Sequence, residues 1–157
     1  MSKKIKKQKR NGSTLKYIIA GVIGLMLIVV AIFAFRNRNE GVVTGGTPVV
    51  SVDQKRIDFG DLKDYTMETI IIKVTNTGTG MLSFSQKPYI QVLEGCCPPD
   101  LTVEKMTLRP GESTTITSAQ FMMHPGMDGK HNYAVHILSN DPVQPDLVVN
   151  VLSNWSQ

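Results

Sequence analysis

Residues Asp58–Phe84, "DFGDLKDYTMETIIIKVTNTGTGMLSF", decide the fold class of this chain. Ile70, Ile72 and Val74 fall at every second position, which is the spacing of side chains on one face of a β-strand. The glycine- and threonine-containing segment that follows is typical of a turn, and "MLSF" then resumes the alternation. The stretch therefore predicts successive strands, each with one buried and one solvated face.

The same pattern continues on both sides of this stretch. Short apolar runs recur at intervals of about ten residues, with turn residues between them, from Val49 to the end of the chain. No segment of this part has the periodicity of an amphipathic helix. The pattern predicts an all-β, immunoglobulin-like β-sandwich of seven to nine strands over residues 49–157. Because Cys96 and Cys97 are adjacent, they cannot be the inter-sheet disulfide of antibody domains.

Three segments together carry a resemblance to a known family. They are Asp58–Phe84, "LRPGESTTI" at Leu108–Ile116 and "SNDPVQPDLVV" at Ser139–Val149. They resemble the hydin-like immunoglobulin-like domains, including the related bacterial family of unknown function, over about Val49–Val151. The resemblance implies an immunoglobulin-like fold and a role as an interaction or scaffold module. Bacterial members often carry Cys-x-Cys where this chain has "CCPP" at Cys96–Pro99.

A different kind of segment precedes the predicted sandwich. Residues Leu15–Phe35, "LKYIIAGVIGLMLIVVAIFAF", are almost wholly apolar and are long enough to cross a hydrocarbon core of about 30 Å as a helix. A cleaved signal peptide has a shorter apolar run, of about 7–15 residues, followed by a small-x-small site. The segment therefore predicts an uncleaved transmembrane helix at residues 15–35, preceded by a tail at residues 1–14 and followed by a linker at residues 36–48.

The distribution of charge predicts how this helix is oriented. Residues 1–16 contain seven basic and no acidic residues, whereas only Arg36 and Arg38 closely follow the apolar segment. The positive-inside tendency then places the N-terminus in the cytoplasm and residues 49–157 outside it. The sequence from Gly41 onward contains eight basic and twelve acidic residues. The basic pI therefore comes from the N-terminal tail, and no nucleic-acid partner is predicted. The prediction is a single-pass protein of the cell membrane.

Soft and imidazole side chains are concentrated in two short segments. The chain has two cysteines, three histidines and eight methionines. "GCCPP" holds both cysteines, and "FMMHPGMDGKH" at Phe121–His131 holds three methionines and two histidines. Thiolates and thioethers favour Cu(I), and imidazole binds both copper and zinc. If the two loops meet at one end of the sandwich, they predict a metal site. The preferred ligands are Cys96, Cys97 and His124, with a thioether from Met123 or Met127, and His131 is a further candidate.

Several residues of these segments have alternative interpretations. Met122 alternates with Met123 and is expected to point into the core. His131 lies at the far end of its loop and is expected either to bind the metal or to face water. His136 falls on the opposite face from Tyr133 and is expected to be structural. No standard zinc or copper spacing is present, and methionine and cysteine also fill apolar cores.

The resulting functional hypothesis is a membrane-anchored protein that sequesters Cu(I) or delivers it to a copper-dependent membrane enzyme. Zinc is the alternative metal. Two other functions are open: a metal-free interaction module that contacts another envelope protein, and a redox module based on a disulfide between Cys96 and Cys97. The sequence contains no nucleophile elbow and no phosphate-binding loop, and no enzymatic activity is predicted.

Overall fold

A computed structural model describes residues 12–37 and 45–157. The chain divides into two units, residues 1–42 and 43–157. In the first unit, helix α1 spans Gly12–Asn37 and includes the whole predicted apolar span. Within the described residues, no helix combines the length and the hydropathy needed to cross a membrane. The predicted basic tail up to residue 11, and residues 38–44 of the predicted linker, lie outside the described residues.

The second unit is built from β-strands, of which the described residues contain ten. They are β1 (Val50–Val52), β2 (Arg56–Lys63), β3 (Ile71–Asn76), β4 (Leu82–Ser83), β5 (Tyr89–Glu94), β6 (Leu101–Val103), β7 (Thr107–Leu108), β8 (Ser113–Ser118), β9 (Gly129–Leu138) and β10 (Asp146–Ser156). The count exceeds the predicted seven to nine because β4 and β7 are only two residues long. Strands this short cannot be distinguished from turns by alternation.

The strands form two four-stranded sheets and one small sheet. One large sheet has the order β1-β3-β8-β6, the other has the order β2-β10-β9-β5, and β4 pairs with β7. All strand pairs are antiparallel except β2 and β10, which run parallel. The all-β, immunoglobulin-like prediction is confirmed at this level.

The core lies between the inward faces of the two large sheets. On β3, Ile72 and Val74 are fully buried and Ile71 between them is 54% exposed, so the predicted alternation is confirmed. Strands β9 and β10 supply further fully buried side chains at alternate positions, among them Tyr133, Val135, Ile137, Leu147 and Val149. Because the same faces are buried along each strand, a shift of register by one residue would expose the core.

Buried polar side chains fix the turns at the edge of this core. Asn76 is fully buried, and its Nδ2 donates to the carbonyl oxygens of Gly80 and Leu108, at 2.7 and 3.0 Å. Its Oδ1 accepts from the backbone amide of Gly78 at 3.0 Å. A buried amide satisfied in this way stabilises one turn geometry, since each unmade bond would carry a desolvation cost. The Asn-Thr-Gly motif is therefore structural.

Candidate functional site

The two cysteines lie in a short connection between the two large sheets. Strand β5 ends at Glu94, and β6 begins at Leu101. Within the connection, Gly95 has φ of 87° and Cys97 has φ of 56°, and both values lie in the left-handed region. A left-handed residue other than glycine costs about 1–2 kcal/mol. The connection therefore folds back sharply, and Cys97 is held in a strained conformation.

This conformation brings the two thiols into contact. Cys97 Sγ lies 3.0 Å from Cys96 Sγ, and both cysteines are free. Cys96 is half-buried, whereas Cys97 is exposed to solvent. Contact with the Cys97 thiol and, to a lesser extent, burial raise the pKa of Cys96 above its ordinary value. The Cys96 thiol therefore holds its proton more tightly than an ordinary cysteine does.

His131 is the histidine that contacts a thiol. It lies on β9, is only 3% exposed, and its Nε2 is 3.9 Å from Cys96 Sγ. Its Nδ1 is 3.2 Å from the carbonyl oxygen of Gly129, which can only accept a hydrogen bond. In the neutral ring this bond places the proton on Nδ1, so the lone pair of Nε2 faces the thiol. The expectation that His131 faces water is wrong.

Gly95 is packed directly against the His131 ring. A Cβ atom at position 95 would lie 2.7 Å from His131 Cγ and 2.9 Å from Nε2, which is closer than a side chain can approach. The close approach, together with the left-handed φ, requires glycine at this position. The cysteine connection can therefore pack against the His131 ring only because residue 95 has no side chain.

Tyr133 connects the core to the cysteine connection. Its hydroxyl group donates a hydrogen bond to the carbonyl oxygen of Cys96. Burial, followed by the nearby charges of Cys96 and Cys97, raises the pKa of Tyr133 above its ordinary value. The hydroxyl therefore remains a donor over the whole physiological pH range. Sequence reasoning missed this residue, although its position two residues after His131 on β9 places both on the same face.

The methionine and histidine loop is arranged differently from the expectation. Met123 is fully buried in the core and Met122 is half-buried, which reverses the predicted orientations of the two residues. The exposed ring of His124 contacts Tyr65 edge-on, with ring centroids 5.2 Å apart. Met127 is partly buried against the core. Of the six predicted ligands, the structure thus brings together Cys96, Cys97 and His131.

His124 lies near the carboxyl group of Asp64. Burial and, to a lesser extent, the Asp128 carboxyl group raise the pKa of Asp64. The nearby His124 acts in the opposite direction. Both carboxyl oxygens of Asp64 are buried. Neither oxygen has a hydrogen-bond partner among the described residues.

His136 is structural, as expected. Its Nδ1 lies 2.9 Å from Asp146 Oδ2, its Nε2 lies 3.0 Å from Gln91 Oε1, and its ring stacks on Tyr89. These contacts join strands β5, β9 and β10 on the outer face of their sheet. His136 is therefore a suitable control for His131, because the two histidines share a strand.

The side chains as they stand do not form a completed metal centre. In residues 12–37 and 45–157, no group of three or more histidine, cysteine, aspartate and glutamate side chains is arranged to hold a metal ion. A groove of about 250 Å³ lies beside His131, and its lining includes Asp58, Asp61, Glu94, Lys130 and Leu152. Within the described region, the cluster of candidate ligands is therefore a pair of thiols in contact with one imidazole.

Comparison with known proteins gives a match to one family model. The model of the HYDIN/CFA65/VesB-like, Ig-like domain matches residues 48–151. A comparison with curated proteins gives no match. The matched region includes β1 to β9 and most of β10, so it contains the cysteine connection and His131.

Solved structures share the fold at low sequence identity. A protein of unknown function from Porphyromonas gingivalis W83 has a TM-score of 0.53 and 21% identity, covering 74% of this chain and 51% of that one. The secreted serine protease VesC from Vibrio cholerae has a TM-score of 0.51 and 14% identity, covering 68% of this chain and 23% of that one. The chain thus spans about half of the first protein and about a quarter of the second. At these identities the likeness concerns the fold alone.

Proposed function

The chain belongs to the HYDIN/CFA65/VesB-like family of immunoglobulin-like domains, and on that premise we propose that its sandwich is an extracytoplasmic Cu(I)-binding module. A fold of this kind does not assign chemistry, so the function must lie in particular side chains. The proposed ligands are Cys96, Cys97 and His131. The module would sequester Cu(I) or deliver it to a copper-dependent membrane enzyme.

One observation carries this proposal: the contact between a thiol pair and a histidine of fixed tautomer. Cys96 Sγ lies 3.0 Å from Cys97 Sγ and 3.9 Å from His131 Nε2. The Nδ1 of His131 donates to a backbone carbonyl, which is the usual outer partner of a metal-binding histidine. The imidazole is therefore oriented for ligation before any ion arrives.

The distances show how far the thiols must move. With metal–sulfur and metal–nitrogen bonds of about 2.3 and 2.0–2.1 Å, as at zinc, three ligands at about 120° around one ion lie about 3.8 Å apart for sulfur and nitrogen, and about 4.0 Å apart for two sulfurs. The Cys96–His131 separation of 3.9 Å is near the first value, whereas the thiol separation of 3.0 Å is shorter than the second. Loss of the thiol protons creates two charges that repel, which favours the required opening.

The ligand set favours Cu(I) over zinc. Two thiolates and one imidazole are soft ligands, and thiolates select Cu(I). Structural zinc sites almost always use four protein ligands, and the proposed site has three. Met123 is fully buried in the core, so it would have to leave the core to supply a fourth ligand.

The location is also part of the proposal. The sequence of residues 15–35 is apolar, and side chains described within α1 are exposed, including Leu25 at 68%, Met26 at 70% and Leu27 at 65%. The basic residues before this segment favour a cytoplasmic N-terminus. We therefore place the sandwich outside the cytoplasm, where tethering would raise its effective concentration near a membrane partner.

Titration of the purified full-length chain in detergent tests the metal site. Under anaerobic, reducing conditions, with a chromophoric Cu(I) chelator as competitor, we expect one equivalent of Cu(I) to bind. The double variant Cys96→Ser/Cys97→Ser is expected to lose this binding, because a hydroxyl group is a poor ligand for a soft ion. His131→Gln is expected to reduce the affinity by at least about tenfold.

Two histidine variants serve as controls. His136→Gln changes a histidine on the same strand and should leave Cu(I) binding unchanged. His124→Gln should also bind normally if His131 is the ligand. If His131→Gln binds Cu(I) normally and His124→Gln loses binding, the imidazole ligand is His124 and the assignment of His131 is wrong. A folded, reduced wild-type chain that takes up no Cu(I) would exclude the function.

A fractionation experiment tests the location independently. The full-length chain expressed in a bacterial host is expected to remain in the membrane pellet after alkaline carbonate washing. Protease added to spheroplasts is expected to digest residues 49–157. Release of the intact chain by carbonate, or complete protection of the sandwich from external protease, would contradict the proposed anchor and orientation.

A metal-free interaction module is the second candidate function, and an exposed sheet edge favours it. Strand β5 lies at the edge of its sheet, and Tyr89, Val92 and Leu93 on it are 42%, 38% and 52% exposed. An edge strand with apolar side chains can pair with a strand of another protein. This candidate becomes the preferred one if the thiol pair binds no Cu(I).

A further inference from the structure

We propose that Cys96 and Cys97 form a reversible disulfide by exchange with disulfide-bonded molecules, that the Cys97 thiol is the one that attacks the external disulfide first, and that closure of the Cys96–Cys97 bond blocks Cu(I) binding. The last part rests on the proposed function, whereas the exchange reaction does not. The substrate class is a small-molecule or protein disulfide of the kind found in oxidising compartments. The geometry of three side chains assigns a separate role to each.

Access distinguishes the two thiols. Cys97 is exposed and Cys96 is half-buried, although their sulfur atoms are only 3.0 Å apart. An incoming disulfide must approach a sulfur in line with its own S–S bond, so the exposed sulfur is the one it can reach. Cys97 therefore forms the mixed disulfide, and Cys96 is already in position to resolve it.

His131 supplies the base for the resolving step. A thiol must lose its proton before it can attack, and Cys96 is half-buried, so an acceptor close to its sulfur is needed. The Nε2 of His131 lies 3.9 Å from this sulfur, and in the neutral ring the bond from Nδ1 to Gly129 leaves the lone pair on Nε2. Cys97 lies in the exposed part of the connection and exchanges its proton with water.

The chemistry balances as two successive displacements. In the first, the Cys97 thiolate attacks one sulfur of the external disulfide, that S–S bond breaks, and the first departing thiolate takes a proton from water. In the second, Cys96 passes its proton to His131, and its thiolate attacks Cys97 Sγ. The mixed disulfide breaks, and the second departing thiolate takes the proton from His131. Two protein thiols are oxidised, and one external disulfide is reduced to two thiols.

The bond should also be easily reversed. Cα atoms of consecutive residues are about 3.8 Å apart, which is shorter than the usual span of about 4.4–6.8 Å in disulfides. Strained disulfides have more oxidising potentials and are readily reduced by external thiols. Because the left-handed φ of Cys97 already folds the connection back, the sulfur atoms meet in the reduced protein. A closed pair offers no thiolate to Cu(I), so oxidation removes the metal site and reduction restores it.

Reaction of the metal-free, full-length chain in detergent with oxidised glutathione tests the exchange. Intact-mass spectrometry is expected to show that the wild type loses two hydrogen atoms and retains no glutathione. Cys96→Ser should accumulate one stable glutathione adduct, because the resolving thiol is absent. Cys97→Ser should form its adduct at least about tenfold more slowly than Cys96→Ser. His131→Gln should prolong the mixed disulfide on an otherwise intact pair, whereas His136→Gln should not.

Each contrary result overturns a stated part of the proposal. Equal adduct rates in the two cysteine variants would remove the assignment of Cys97 as the first thiol. A wild-type chain that keeps a glutathione adduct, or does not react, would exclude the internal disulfide. If the oxidised chain binds Cu(I) as well as the reduced chain does, the block on binding is wrong. If the disulfide forms but the reduced chain binds no Cu(I), the proposed function and the block on binding both fail, and the exchange reaction stands.

Discussion

Replacement of Gly95 with alanine is expected to destabilise the sandwich by about 2–4 kcal/mol and to weaken Cu(I) binding by at least about tenfold. The backbone at Gly95 has φ of 87°, and an added Cβ would lie 2.7 Å from His131 Cγ. The buried ring has to shift, which breaks its bond to Gly129 and moves Nε2 away from Cys96. Chemical denaturation and the Cu(I) competition titration measure the two effects.

Gly126→Ala is the matched control for this prediction. Gly126 has φ of 93°, and nothing lies within 4 Å of the position its Cβ would take. Its substitution therefore carries the left-handed backbone cost, about 1–2 kcal/mol, without the collision. The excess loss of stability in Gly95→Ala over Gly126→Ala measures the contact with His131. Equal losses in the two variants would show that the contact does not constrain the ring.

A double-mutant cycle assigns the collision to the ring itself. In a His131→Ala background, Gly95→Ala should lose only as much stability as Gly126→Ala does, since the added methyl group no longer meets a ring. Residues in contact typically show coupling energies of about 0.5–3 kcal/mol. A cycle without coupling would mean that the loss arises from the backbone of the cysteine connection.

The fold was predictable because its decisive features are local in sequence. The alternation of Ile70, Ile72 and Val74 is sufficient to predict a strand with one buried face, and all three are fully buried. Within the segments that carry the family resemblance, the Asn-Thr-Gly motif lies at a turn, as the hydrogen bonds of Asn76 show. Such motifs specify where the chain turns, and they contain no information about chemistry. They therefore predicted the architecture but not the function.

The candidate site was less predictable because it depends on contacts between distant strands. The sequence identifies both cysteines and His131 as candidates, but it favours His124 over His131, because His131 lies at the far end of its loop. The register between β5 and β9, in which Glu94 faces Asn132, brings the cysteine connection next to His131. Sequence spacing cannot reveal this register. The packing of Gly95 against the ring is also invisible in a single sequence.

The orientation of the methionines shows a second limit. Alternation correctly predicts that one of Met122 and Met123 points inward. It selects Met122, however, whereas Met123 is the buried residue. Residues 119–128 do not continue strand β8, which ends at Ser118. Because the backbone after Ser118 is irregular, the inward and outward positions of β8 cannot be extended to Met122 and Met123.

Replacement of Asp141 with alanine is expected to cost about 3–5 kcal/mol of unfolding free energy, because three backbone amides lose a charged acceptor at once. Asp141 is 3% exposed. Its Oδ2 accepts from Val50 N at 2.8 Å, and its Oδ1 accepts from Val143 N and Gln144 N at 2.8 and 3.1 Å. These bonds join β1 to the turn before β10. Asp146→Ala is the control, since the Asp146 side chain is 45% exposed and its pair with His136 should contribute no more than about 1 kcal/mol.

The same carboxylate makes a prediction about pH. Burial alone would raise the pKa of Asp141, but the amides of Val50, Val143 and Gln144 together lower it below its ordinary value of 3.8. The folded state therefore binds the proton less tightly than the unfolded state does, and the stabilisation is fully present above pH 3.8 and is lost as the pH falls through the lowered pKa. Denaturation midpoints of the wild type and of Asp141→Asn, measured at a series of pH values, should therefore converge in acid. A difference that stays constant below pH 3.8 would mean that the charge of Asp141 does not hold the turn, and that only the shape of its side chain matters.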